Sequence, residues 1–193
     1  MAEPEAWTPK PVPPRPGLSA PAARLAEILR VDHAGELAAV HIYRGQRAVL
    51  QPAPAKSRIA DQLAQMQSQE AEHLAAFDRL LTERRVRPSL LTPLWRAAGL
   101  ALGAGAALLG EKAAHACTEA VESVIERHYA EQIAELAQSE PELAHSLTQF
   151  RDEELAHRDL AVEEGAHQAP GYGLLAAAIR AGCRAAIKIS EKV

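Results

Sequence analysis

Two stretches of this chain, 84 residues apart, interrupt an apolar helical seam in the same way. The first reads Ile59, Leu63, Met66, Glu70, His73, Phe77, Leu80; the second reads Leu143, Leu147, Phe150, Glu154, His157, Ala161, Glu164. Alternating steps of four and three residues mark the stripe along which helices pack into bundles. A chain that sets Glu-x-x-His into that stripe twice must bury two acids and two imidazoles side by side. Glu-x-x-His alone says little, because it occurs four times among 193 residues with 8 histidines. Glu142/His145 follows Pro141 off the seam and reads as a solvated first turn. Glu164/His167 straddles Gly165, well beyond the level of the other acids.

A second matched pair strengthens the repeat. Glu36 and Tyr43 stand seven residues apart, as do Glu122 and Tyr129, 86 positions later, so each pair shares one helix face. The chain therefore reads as two related helical hairpins. Breakers set their limits: helices are expected over about 21–50, 56–85, 111–138 and 141–164, with turns at Gln51–Ala55 and Ser139–Pro141. A weaker helix lies between Pro93 and Gly110, within an apolar connection over 88–110, and an amphipathic helix over 171–192 closes the chain. Aromatic residues make up only 4% and strand formers are sparse, which points to an all-α fold. Seven of the 13 prolines fall by residue 21, so residues 1–20 read as a disordered tail and 21–193 as one domain. Glu36 and Glu70 are equidistant from the first turn, and Glu122 and Glu154 from the second. At 1.5 Å per residue all four carboxylates reach one depth, roughly 25 Å from the turns; the relative direction of the two hairpins stays open.

Four buried carboxylates are ruinous unless something neutralises them. Two divalent cations do so, and two neutral imidazoles complete the shell. One Glu from each of two helices plus Glu-x-x-His from each of two others is the di-iron pattern of helix bundles. Oxygen and imidazole donors with open positions suit Fe or Mn better than structural zinc. Glu36, Glu70, His73, Glu122, Glu154 and His157 are thus the expected metal ligands. Glu119, one turn from Glu122, is an alternative to it. Asp32, one turn before Glu36, is expected to accept a hydrogen bond from a ligating imidazole. His33, His41, His115 and His128 read as surface or supporting groups. Tyr43 and Tyr129 read first as core aromatics, with a proton or electron relay through Tyr129 as the sharper alternative.

The motifs Val31-Asp-His-Ala-Gly-Glu36, Glu70-x-x-His73, Ala120-Val-Glu122 followed by His128-Tyr129, Arg151-Asp-Glu-Glu-Leu-Ala-His157 and Ala181-Gly-Cys-Arg-Ala-Ala-Ile187 together resemble the demethoxyubiquinone hydroxylase family over about residues 22–193. The resemblance implies a ferritin-like four-helix bundle of two repeated hairpins with two additional helices. It also implies a di-iron monooxygenase that adds a hydroxyl to demethoxyubiquinol with O2 and two electrons in ubiquinone biosynthesis. By the same resemblance Glu70 and Glu154 bridge two Fe2+ ions while Glu36 and Glu122 are terminal ligands. The reductant is NADH or the quinol itself; the chain carries no Gly-rich dinucleotide fingerprint.

A polyprenyl quinol lives in the bilayer, and two segments fit a membrane surface. Residues 97–110 carry no charged side chain, yet are too short to span. In the last helix Arg180, Arg184, Lys188 and Lys192 recur every four residues opposite Leu175, Ile179, Cys183 and Ile187, as an interfacial helix requires. A bacterial protein peripheral to the cytoplasmic side of the membrane is expected, with an accessory lipid-binding protein and a second copy of the chain as further partners. A net charge of −4 argues against nucleic acid. Two alternatives stand beside this reading: a ferritin- or rubrerythrin-like iron or peroxide handling protein, and a metal-free membrane-bound helical scaffold.

Overall fold

A computed structural model describes residues 19–51 and 57–193. The proline-rich segment up to residue 18 and most of the first turn lie outside the described residues. Six α-helices follow in order: α1 (Ala20–Leu50), α2 (Ser57–Glu83), α3 (Thr92–Leu108), α4 (Glu111–Leu136), α5 (Pro141–Glu163) and α6 (Tyr172–Ser190). A short 3-10 turn, Ala166–Gln168, precedes α6, and no strand occurs among the described residues. Local chemistry sets these limits. Ser19 caps α1 by accepting from the Ala22 amide, with Pro21 in its first turn. Pro141 opens α5, and Gly110 and Gly171, both at positive φ, admit the turns into α4 and α6.

Side-chain pairings fix the topology that the sequence leaves open. His33 on Asp78 and Arg47 on Gln67 set α1 antiparallel to α2. Tyr43 meets Glu122 and Gln132 meets Asp32, so α4 runs antiparallel to α1. Gln62 with Glu164 and Gln69 with His157 place α5 antiparallel to α2. The two hairpins are therefore related by an approximate two-fold axis, and the chain must travel the length of the bundle between α2 and α4. Helix α3 makes that crossing, parallel to α1, with Gly99 against Ala38 and Gly103 against Ile42. It packs along α1 and touches α4; α6 packs along α4 and touches α1. Both additional helices thus cover the α1–α4 side.

The apolar interior is divided. One cluster gathers Ile28, Leu29, Phe77, Leu81 and Leu147 towards one end of the bundle. Another gathers Leu50, Ile59, Leu63 and Met66 towards the other. The polar groups of the seam lie between these two plugs.

The last helix corrects an expectation. Leu175, Ile179 and Cys183 pack onto Cys117, Ala120 and Val121 of α4 rather than facing outward. Its apolar stripe is committed to the protein core.

Candidate metal centre

Each of the four bundle helices brings one carboxylate to the same level, and α2 and α5 each add an imidazole one turn on. Glu36, Glu70, Glu122 and Glu154 are about 1% exposed, and His73 and His157 are equally enclosed. Their atoms fall into two overlapping groups, Glu36, Glu70, His73 and Glu154, and Glu70, Glu122, Glu154 and His157. Within each group one donor atom per residue lies within 4.8 Å of all the others. Glu70 and Glu154 belong to both groups.

The geometry is specific. His73 Nδ1 lies 3.2 Å from Glu154 Oε1 and 3.4 Å from Glu36 Oε2. His157 Nδ1 lies 3.2 Å from Glu70 Oε1 and 3.2 Å from Glu154 Oε2. The tyrosines cross between the repeats: Tyr43 donates to Glu122 Oε1 at 2.8 Å, and Tyr129 donates to Glu36 Oε1. Each terminal carboxylate therefore has one oxygen held by a phenol. The other oxygens, Glu36 Oε2 and Glu122 Oε2, have no hydrogen-bond partner, nor do Glu70 Oε1, Glu154 Oε1 and His73 Nδ1. Buried polar atoms without partners are rare in folded proteins; five gathered in one cluster fit a pair of cations.

The electrostatics agree. Burial first, and the neighbouring carboxylates second, push Glu70 and Glu122 well above the ordinary carboxyl range and raise Glu36. Glu154 is drawn down against its own burial by the imidazoles of His157 and His73 beside it. Burial opposes protonation of His73, but Glu154 and Glu36 raise it to about 11. Protons thus do in the metal-free cluster what divalent cations can do better.

Behind the imidazoles sit two residues that the repeat arithmetic passed over. His73 Nε2 donates to Glu153 Oε2 at 2.9 Å, and His157 Nε2 donates to Gln69 Oε1 at 3.0 Å. Gln69 immediately precedes Glu70 and Glu153 immediately precedes Glu154, so each helix supports the other helix's imidazole. The doublets Gln-Glu and Glu-Glu stand in the sequence, but only the antiparallel register of α2 and α5 gives them this meaning.

Two expectations, for Asp32 and Glu119, are corrected here, and the first reading of the tyrosines is met. Asp32 supports no ligating imidazole; it accepts from Gln132 at 2.8 Å and lies 3.5 Å from His128 Nε2, on the α4 side. Glu119 turns away to Arg180 and Tyr172, so it does not replace Glu122. Tyr43 and Tyr129 are core aromatics with their hydroxyls in the site. Elsewhere, Glu164 binds Arg58 and Gln62, His167 is exposed against Tyr172, and Glu142 and His145 are exposed. His33 bonds Asp78, His41 bonds the Leu37 carbonyl, and His115 is buried and held neutral by that burial.

A buried Glu/His cluster on four helices could hold a metal ion, and comparisons with known proteins speak to its chemistry. Residues 23–190 match the family model described as ubiquinone biosynthesis protein COQ7. A Rhodospirillum rubrum protein named 3-demethoxyubiquinol 3-hydroxylase is 51% identical over 178 residues, covering 92% of this chain and 82% of its own. A human protein named NADPH-dependent 3-demethoxyubiquinone 3-hydroxylase, mitochondrial, is 46% identical over 175 residues, 89% of this chain and 79% of its own. The Saccharomyces cerevisiae 5-demethoxyubiquinone hydroxylase, mitochondrial, is 41% identical over 189 residues, 90% of this chain and 80% of its own.

Proposed function

The chain belongs to the COQ7 family of ubiquinone biosynthesis proteins, and from that premise we propose that it is a di-iron monooxygenase hydroxylating the ring of a demethoxyubiquinol with O2. The observation that carries the iron reading is the pair of overlapping Glu/His groups sharing Glu70 and Glu154. Glu70 and Glu154, common to both groups, would be shared by the two irons; Glu36 and His73 would help hold one, Glu122 and His157 the other. Iron held there supplies the two-electron activation of O2 that an organic side chain cannot.

The chain's own residues do the rest. Tyr43 and Tyr129 fix Glu122 and Glu36, leaving one oxygen of each for the metal. Tyr129, whose hydroxyl donates to Glu36, is placed to pass a proton to that carboxylate or to relay an electron to the metal it would hold. The apolar plugs around Phe77 and Met66 keep bulk water from the centre, which limits unproductive proton and electron leakage. The reductant is either the quinol or a reduced nicotinamide nucleotide, the latter specified for the human relative by its name.

A polyprenyl quinol has to be taken from a bilayer. No helix among the described residues is long and apolar enough to cross a membrane, so the protein meets the lipid from one side. The outer face of α3 supports this, with Leu94 and Leu100 exposed and Leu108 75% exposed, as does Leu174 of α6 at 81%. Large apolar side chains left exposed along one helix are what a contact site offers. Exposed Arg184 and Lys188 on α6 suit anionic lipid. We place the protein on the cytoplasmic side of a bacterial cell membrane, in keeping with the Rhodospirillum rubrum relative.

The test is genetic and chemical. Deleting the gene is expected to make cells accumulate demethoxyubiquinone, and the wild-type gene but not its His157→Ala form to restore ubiquinone. Normal quinone extracts from the deletion strain would remove the hydroxylase reading. Two irons per chain, rather than many, separate an oxygenase from an iron store.

A further inference from the structure

We propose that the pocket where α1, the α2–α3 connection and the end of α6 meet binds the phosphate of an anionic phospholipid headgroup. The proposal rests on the membrane reading above and gives it a chemical address. The pocket encloses about 550 Å3 and is lined by Arg30 of α1, Arg84, Arg85 and Arg87 of the connection, and Lys192 after α6. Among the described residues no acidic side chain lines it, and Val193 lies beside Lys192 at its edge. Arg84 is already engaged by Glu140, at 2.8 and 3.1 Å, and Arg30 is buried. Arg85, Arg87 and Lys192 are exposed. In a chain of net charge −4, this gathering of cations runs against the average.

The backbone adds a second observation. Helix α2 ends with the Val86 amide bonded to the Leu81 carbonyl at 2.8 Å and the Arg85 amide to the Thr82 carbonyl at 3.2 Å. That leaves Arg85 at φ 53, the only positive φ outside glycine among the described residues. The left-handed position of such a helix end is one that glycine takes without cost and other residues take under strain. Strain kept at one residue points to what its side chain does. Here it delivers a guanidinium, whose planar fork matches phosphate oxygens in pairs.

Apolar groups complete the recognition. Leu25, Val86 and Leu90 line the same pocket. Leu90 is 80% exposed at its rim and leads to exposed Leu94 at the start of α3. A ligand with phosphate at one end and acyl chain at the other uses both halves. A soluble phosphate uses only the cations.

The experiment takes the metal-loaded full chain and measures binding to vesicles of phosphatidylcholine alone and of phosphatidylcholine with phosphatidylglycerol. Wild-type protein is expected to favour the anionic vesicles. Losing two cations near the surface, at about 1 kcal/mol each, predicts a roughly thirtyfold loss of that affinity in the Arg85→Gly/Arg87→Gln pair. Arg85→Gly is also expected to melt at the same temperature or higher, which separates lost binding from lost folding. Arg44→Gln/Arg127→Gln, two exposed cations on α1 and α4, serves as the charge-matched control and is expected to lose much less. An equal loss in both pairs, or none in the pocket pair, overturns the proposal while leaving the membrane reading standing. Binding to neither vesicle removes both. Protection by NADPH that vanishes in the pocket pair, without any preference for anionic vesicles, reassigns the pocket to a soluble nucleotide and overturns the lipid proposal.

Discussion

His73 and His157 are related by the repeat, yet the groups behind them differ: a carboxylate, Glu153, supports one, and an amide, Gln69, the other. A carboxylate acceptor makes an imidazole the more basic donor, and such supports typically change metal affinity tenfold to a hundredfold. Glu153→Gln is therefore expected to weaken metal binding by roughly that factor at the His73 position. Stepwise titration with Co2+ checks it: the two binding steps should draw together in the variant. His128 allows a test away from the cluster. Burial opposes its charge, but Asp32 outweighs burial and raises its pKa above the ordinary 6.5. A histidine raised on folding contributes stability that is fully present below 6.5 and is lost as pH rises through the raised value. His128→Gln should thus cost on the order of 1 kcal/mol near pH 6 and progressively less at higher pH; parallel thermal melts across pH reveal the difference. The six seam residues were legible because a repeat and a helical period name positions without coordinates. Asp32 misled because one-turn spacing shows which face a side chain shares, not which neighbouring helix that face meets.

Helix α3 shows the same limit at the level of elements. Its glycines read in sequence as weakness, since each costs up to about 1 kcal/mol against alanine in a helix. In place, two of them are contact surfaces. A Cβ on Gly103 would stand 1.9 Å from the Ile42 carbonyl oxygen, and one on Gly99 would stand 2.5 Å from that of Ala38. Both obstacles are backbone and cannot rotate away. Gly103→Ala is therefore expected to lift α3 from α1 and destabilise the protein by about 3 kcal/mol. Gly105, two positions on, meets nothing within 4 Å. Gly105→Ala should stabilise by up to about 1 kcal/mol. Urea unfolding of the two variants reads opposite signs from the same substitution on one helix. The element boundaries were within a few residues of expectation because prolines, glycines and caps set them locally. The facing of α6 was not, because one apolar stripe opposite a basic one suits a lipid surface and a protein core alike. Leu175, Ile179 and Cys183 go to α4, leaving Leu174 outside.

At the scale of the molecule, two hairpins meet about an approximate two-fold axis whose centre is the charged cluster, so assembly and neutralisation are one problem. Glu70, Glu122 and Glu36 have raised folded pKa values, chiefly from burial. Such groups contribute stability below the ordinary carboxyl value of 4.5, and that contribution is lost as pH rises through the raised values. Glu154 is lowered and acts in the opposite sense, but it is one group against three. The metal-free protein should therefore lose stability from mildly acid to neutral pH. Bound cations reverse the trend, because they need the deprotonated carboxylates and compete with the protons. At a free metal concentration a thousand times Kd, binding adds about 4 kcal/mol. For a chain of this size that is roughly 8–16 °C in Tm. The gap between loaded and chelated protein should be widest near pH 8 and narrow towards pH 5. Calorimetry with and without a chelator across that range measures it. Equal melting temperatures at pH 8 would mean that the two Glu/His groups tolerate their own repulsion unaided, and the argument for a metal centre would then have lost its physical cause.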